Sequence, residues 1–230
     1  MTSEALQHLT DSDPVMGRLI QRVGACTLDP EPQRTPFESL VRAVAHQQLH
    51  GKAAETILGR FLLRFPGRRF PRPEDLERVS DADLRSCGFS GSKVAAVRDI
   101  AAKSLDGTVP TSRKIRTLSD QEIVDRLSAC RGVGRWTVEM LLIFKLGRPD
   151  VLPIDDFGVR EGFRVTYGHD VQPRPKDLLA FGERWRPFRT TAAWYLWRAA
   201  DAAKLAPNVD SWVGRESDAC VCCQDFWALG

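Results

Sequence analysis

The sequence has no stretch that approaches the ~20 consecutive apolar residues of a membrane-spanning helix. Its longest strongly apolar run, Val138 to Leu146, is interrupted by Glu139 and Lys145. The segment Met1 to Asp13 is acidic and lacks the basic-then-apolar layout of a signal peptide. These absences predict a cytoplasmic chain with no membrane partner. A dominant charge is also missing: Lys and Arg total 33 against 30 Asp and Glu, a formal net charge of +3. That balance excludes a histone-like polycation and an acidic disordered tail. It leaves nucleic acid open, because a basic face can be offset by acidic residues elsewhere. Lysine is scarce, with seven among the 33 basic residues. The arginines that make up the rest carry a planar fork suited to phosphates. Histidine is limited to four; His46 and His50 have no metal-ligand partners and read as ordinary polar residues, so no metal site is expected. No long alternating apolar–polar run is present, so a sheet-based fold is excluded. Only a short strand at Val151-Leu152 or Val165-Thr166 stays open.

What is present is ordinary globular material: 230 residues, 43% hydrophobic and 27% charged, enough for one large or two small domains with a sizeable core. Helical periodicity dominates. Thr35, Pro36 and Glu38 form a helix start, with Phe37, Leu40, Val41, Val44 and Ala45 as its apolar stripe. Further helices are expected over Lys52 to Phe65, Asp75 to Val79, Asp81 to Cys87, Lys93 to Leu105 and Ser119 to Ala129. Others are expected over Arg135 to Leu146, Asp156 to Tyr167, Pro175 to Trp185 and Pro187 to Lys204. Proline-bearing linkers at Leu28 to Arg34 and Gly147 to Pro153 set the boundaries. They divide the chain into an N-terminal helix (1–35), a helical subdomain (36–146), a second helical subdomain (147–206) and a poorly ordered tail (207–230). Cys26, Cys87 and Cys130 sit singly in apolar-periodic segments and read as free buried thiols of a reducing compartment. Cys220, Cys222 and Cys223 crowd the C-terminus.

Two local features carry chemistry. In Cys130-Arg131-Gly132-Val133-Gly134-Arg135-Trp136 a helix ends, two glycines bracket one apolar residue, and a new helix begins. Such a turn leaves nothing between the backbone and an approaching group. The next helix offers free N–H groups and the positive end of its dipole. Together they make a cradle for a phosphate that reads no sequence; a plain helix–turn–helix connection is the alternative. About 20 residues on, Val151-Leu152-Pro153-Ile154-Asp155-Asp156 delivers two adjacent carboxylates to a helix start, where a simple Asp N-cap is the alternative.

Taken together, the hairpin and the aspartate pair resemble the signature of the helix–hairpin–helix DNA glycosylases. More narrowly, the chain resembles the 3-methyladenine DNA glycosylase II (AlkA-like) branch. Three further segments share the likeness: Ala45-His46-Gln47-Gln48-Leu49-His50-Gly51-Lys52-Ala53-Ala54, Gly88-Phe89-Ser90-Gly91-Ser92-Lys93, and Trp185-Arg186-Pro187-Phe188-Arg189 through Trp197. The likeness runs from about Asp13 to Leu205. It implies an all-α fold of two helical subdomains with the active-site cleft between them, the hairpin lying in 119–146, and the N-terminal helix packing with the C-terminal subdomain. The β-rich N-terminal domain of some members has no counterpart in this sequence.

The resemblance also implies roles. Asp156, the second aspartate, is the catalytic carboxylate; Asp155 is then a cap or a supporting group. Bifunctional members carry a Lys nucleophile where this chain has Trp136, and an indole cannot form a Schiff base, so base removal without strand cleavage is implied. Trp136, Trp197 and Met140 line the base pocket, where a cationic alkylpurine stacks on an electron-rich indole. The target nucleotide must be flipped out of the duplex. Leu49 then fills the gap as an intercalating wedge, with Gln48 and His50 beside it. Arg131, Gly132, Val133, Gly134 and Arg135 form the phosphate-binding hairpin, with Lys52, Arg160 and Arg189 as further phosphate candidates. Relatives hold a monovalent cation at the hairpin, which is an option here; no cofactor is required. A four-thiolate iron–sulfur cluster is not expected, because the three C-terminal cysteines are too few and wrongly spaced. The expected partner is damaged double-stranded DNA, bound by a monomer in the cytoplasm or at the nucleoid. The rivals are a bifunctional, mismatch or oxidised-base glycosylase of the same fold and a non-catalytic DNA-binding module.

Overall fold

A computed structural model describes residues 2–30 and 33–205. Among these residues the chain is helical, with no strand. The helices are α1 (Ser3–Ser12), α2 (Pro14–Val23), α3 (Pro36–His46), α4 (Gly51–Leu62), α5 (Asp81–Ser86), α6 (Gly91–Leu105), α7 (Asp120–Ser128), α8 (Arg135–Phe144), α9 (Phe157–Tyr167), α10 (Pro175–Phe181) and α11 (Arg189–Leu205). Short 3-10 turns stand at Pro73–Arg78, Ile115–Thr117 and Gly182–Trp185. None of the described helices is long and apolar enough to cross a membrane. The expected tail, with Cys220, Cys222 and Cys223, lies outside the described residues.

Local chemistry sets the helix starts. The Thr35 hydroxyl accepts the Glu38 amide at 3.1 Å, with Pro36 in the first helical position. The Ser119 hydroxyl accepts the Glu122 amide, while the Glu122 carboxylate accepts the Ser119 amide at 2.8 Å, a reciprocal capping box. The expected single N-terminal helix is two. Asp13 is extended, its Oδ1 accepts the Val15 and Met16 amides at 3.1 Å, and Pro14 has no N–H to continue α1. The segment expected as one helix over Pro175 to Trp185 breaks into α10 and a 3-10 turn. The short helix expected at Asp75 to Val79 is likewise a 3-10 turn. Val165 and Thr166, held open as a strand, lie inside α9.

The chain forms two compact units. One joins the segment through Pro30 to the segment from Leu142 onward; the other lies between them in sequence and ends at Leu141. In the first, α11 is buried on nearly every side and packs along α9, with α2 against both. Gly162 makes the α9–α11 approach possible: a Cβ there would stand 1.8 Å from the Leu196 carbonyl oxygen. The Asp13 side chain ties distant segments together. Its Oδ2 accepts the Tyr167 hydroxyl at 2.6 Å and the Trp185 indole N–H at 2.9 Å. Burial, with the Asp13 carboxylate beside it, pushes the Tyr167 phenol far above its ordinary range. In the second unit, α3 packs between α4 and α6 and is buried along its length. Phe37, Phe61, Phe65, Phe70 and Phe89 form an aromatic cluster beside it.

Candidate functional site

The hairpin begins where α7 ends. Gly132 takes φ +75°, a left-handed conformation that disfavours any side chain. Val133 is buried and its amide donates to the Cys130 carbonyl at 3.1 Å, which closes the turn. Gly134 needs no unusual φ, and a Cβ placed on it meets nothing within 4 Å. The second glycine is therefore not there for the turn; it leaves open space above the start of α8. The amides of Gly132, Gly134 and Arg135 have no acceptor among the described residues. The Arg131 side chain is exposed, and Arg135 is half engaged with Glu139 at 2.9 Å. Cys130 packs beneath, its thiol pushed up to about 11 by burial, so it stays protonated. The Cys130 carbonyl accepts the Val133 amide at 3.1 Å and the Gly132 carbonyl accepts the Gln47 side-chain amide at 2.8 Å. Backbone carbonyl oxygens of this kind are the groups that would hold a monovalent cation.

The turn between α3 and α4 carries the wedge candidates. Gln48 is the one non-glycine residue with positive φ among those described, at +56°, a conformation that costs about 1 kcal/mol. Gln48, Leu49 and His50 are all exposed, Leu49 at 40%. His46 is buried instead, its Nε2 2.9 Å from Glu55; burial lowers its pKa and Glu55 opposes that in part. Lys52 is exposed on the first turn of α4.

The aspartate pair divides differently from the cap-and-catalyst split expected of it. Asp155 is exposed, while Asp156 is 6% exposed and is itself the N-cap of α9. Its Oδ1 accepts the Val159 amide at 2.8 Å and the Trp197 indole N–H at 2.8 Å. The cap and the catalytic readings thus fall on one residue, and Asp155 is left as a surface carboxylate. Two N–H donors fix the orientation of the carboxylate at the start of α9. Trp197 is 2% exposed and its ring stacks on Phe144 at 5.7 Å and 25°. It is a support for the carboxylate before it is a pocket wall.

Gly158 is part of the same arrangement. A Cβ there would sit 2.8 Å from the Trp197 ring and 3.2 Å from Asp156 Oδ1, so only glycine lets the indole reach the carboxylate. Neither Phe144 nor Gly158 was singled out from the sequence; the four-residue spacing of Gly158 and Gly162 was the available signal. Trp136 is half-buried on the first turn of α8, and Met140, one turn on, is 1% exposed. Arg189 is buried and forked onto Asp150, with Nε to Oδ1 at 2.6 Å and Nη2 to Oδ2 at 3.1 Å. Arg160 Nε donates to the Pro173 carbonyl at 2.9 Å. Both arginines, read from sequence as phosphate candidates, hold their own unit together.

Residues 41–187 match the HhH-GPD superfamily base excision DNA repair protein family. The chain is 41% identical over 203 residues to DNA-3-methyladenine glycosylase 1 of Schizosaccharomyces pombe, covering 88% of this chain and 89% of that one. Among solved structures it is similar to the Schizosaccharomyces pombe 3-methyladenine DNA glycosylase in complex with abasic DNA. That likeness has TM-score 0.75 and 40% identity, over 90% of this chain and all of that one. A DNA-3-methyladenine glycosidase from Bacillus halodurans matches with TM-score 0.80 and 32% identity, over 89% and 92% of the two chains.

Proposed function

The chain belongs to the HhH-GPD superfamily of base excision DNA repair proteins, and on that premise we propose how its residues act. It is a monofunctional DNA glycosylase of the 3-methyladenine type, which removes alkylated bases from DNA. The observation that carries the mechanism is the buried Asp156 carboxylate, oriented by the Val159 amide and the Trp197 indole.

The hairpin amides of Gly132, Gly134 and Arg135 hold a backbone phosphate without reading sequence. Leu49 enters the base stack from its exposed turn and the alkylated nucleotide swings out. Trp136 offers the electron-rich face on which the cationic purine stacks. The bond between the sugar C1′ and the base nitrogen then breaks, and its electron pair leaves with the base. A base that carried positive charge departs neutral. Positive charge grows on the sugar, where Asp156 stabilises it. Water adds at C1′ and releases a proton, and the product is an abasic site. Position 136 has no amine, so the sugar is not captured as a Schiff base and the strand stays whole. None of these steps needs a cation at the hairpin. The free thiols of Cys26, Cys87 and Cys130 support a reducing compartment.

Methylated duplex DNA is expected to yield free 3-methyladenine and 7-methylguanine, identified by mass spectrometry. Bound DNA with no released base would leave only a binding module. The hairpin has its own test. Gly134→Ala is expected to leave the melting temperature within about 2 °C, since the methyl meets no protein atom within 4 Å. It is expected to weaken binding to an abasic duplex about tenfold, by blocking the phosphate. Unchanged binding would remove the phosphate from this end of α8.

A further inference from the structure

One face of α6 touches both elements that the proposed function places on DNA. Lys93, Ala96 and Asp99 follow one another at three-residue spacing and so share that face. Lys93 Nζ donates to the carbonyls of Ala45 and Gln47, both at 2.8 Å, where α3 ends with carbonyls that lack helical partners. Ala96 lies against the hairpin: a Cβ placed on Gly132 would stand 3.3 Å from its methyl. Asp99 Oδ2 accepts the Arg131 amide at 2.7 Å and is itself held by Lys103 Nζ at 2.7 Å. The wedge turn and the hairpin are each tied to the same rigid helix.

A direct bond closes this frame. The Gln47 side-chain Nε2 donates to the Gly132 carbonyl at 2.8 Å. Gln47 is only partly buried and its hydrogen bond to Gly132 is exposed, so losing the amide is expected to cost only the modest stability of one exposed hydrogen bond. It also precedes the strained Gln48 and the exposed Leu49, so whatever holds Gln47 sets the direction in which Leu49 points.

We propose that Gln47 is a positioning residue that couples wedge insertion by Leu49 to phosphate capture by the hairpin, with the Lys93–Ala96–Asp99 face of α6 as the fixed spacer. The inference rests on the reading of Leu49 as wedge and Gly132–Arg135 as phosphate cradle. A phosphate seated on the hairpin fixes Gly132, the Gln47 amide transmits that position, and Leu49 enters the stack at one set distance from the gripped phosphate. Without the amide, the two elements still bind but no longer act as one.

The test uses the full chain as wild type, Gln47→Ala, Gln47→Glu, Leu49→Ala and the Gln47→Ala/Leu49→Ala double variant. Wedge insertion is read by the fluorescence of 2-aminopurine placed beside a tetrahydrofuran abasic site. Excision is read as the single-turnover rate on a duplex with one 7-methylguanine at saturating enzyme. Gln47→Ala is expected to lower both about tenfold, a loss typical of misplacement rather than of missing chemistry. Its melting temperature is expected to stay within about 2 °C of wild type. Gln47→Glu, which keeps the shape but cannot donate to a carbonyl, is expected to behave like Gln47→Ala. In the Leu49→Ala background the Gln47 change is expected to add nothing, because the pair acts as a unit. Full additivity of the two substitutions, or unchanged excision in Gln47→Ala, would overturn the coupling. If Leu49→Ala alone leaves insertion unchanged, the wedge reading has failed and the coupling falls with it; that single variant tells the two failures apart.

Discussion

Asp156→Asn is expected to stop base release while leaving the protein folded and able to bind DNA. The substitution keeps a side-chain oxygen where Oδ1 now accepts the Val159 amide and the Trp197 indole, each at 2.8 Å. Asn caps helices about as well as Asp, so α9 keeps its start. What is lost is the negative charge facing the sugar as its bond to the base breaks. Removing one preorganised electrostatic partner of a developing charge costs about 10²- to 10³-fold in rate. Single-turnover excision of 7-methylguanine measures the effect, with the melting temperature and abasic-duplex affinity as controls. A rate within about threefold of wild type, less than 1 kcal/mol of barrier, would take Asp156 out of the chemistry.

Gly162→Ala is expected to be the most destabilising single-methyl change among the glycines of the described residues. The new Cβ would lie 1.8 Å from the Leu196 oxygen, 2.5 Å from its carbonyl carbon and 2.9 Å from its Cα. These are backbone atoms and cannot rotate aside, so α9 and α11 must separate. Overpacking of this kind costs about 3 kcal/mol or more. For a chain of this size that lowers the melting temperature by roughly 6–12 °C. Excision is expected to fall as well, because Trp197 follows Leu196 on the displaced helix and holds Asp156. Gly59→Ala on α4 is the matched control: its Cβ meets nothing within 4 Å, and alanine is the better helix former. Thermal melts of the two variants separate packing from propensity. A Gly162→Ala melt within about 2 °C of wild type would refute the close α9–α11 approach.

The features legible in the sequence were those written in neighbouring residues. Thr35-Pro36-Phe37-Glu38 and Ser119-Asp120-Gln121-Glu122 announce helix starts because a cap bonds an amide three residues on. The hairpin and the aspartate pair were visible for the same reason, as short strings with a fixed backbone geometry. Their internal roles were less so. Of the two hairpin glycines only Gly132 serves the turn, with φ +75°, while Gly134 serves the space above it. Of the two aspartates the one expected to work is also the cap.

Hidden from the sequence were arrangements made by residues far apart along the chain. Asp13 gathers Tyr167 and Trp185, and the Trp197 indole reaches Asp156. Gln47 reaches Gly132. No local propensity encodes such pairs; they exist because helices pack. The arginines show the same limit. Arg189 and Arg160 look like phosphate ligands in a string of letters and are structural ties in the fold. The near-neutral charge of +3 is consistent with this division, since a backbone cradle grips phosphate without a strongly basic surface.

Hydrolytic base removal without strand cleavage is read directly on one gel. An end-labelled duplex with a single 7-methylguanine is incubated with excess protein, and half of each sample is treated with hot alkali before electrophoresis. An intact strand without alkali and a break at the lesion with it are expected, since Trp136 cannot capture the sugar as a lysine would. Strand breaks without alkali, trapped by borohydride as a protein–DNA adduct, would contradict hydrolysis without cleavage.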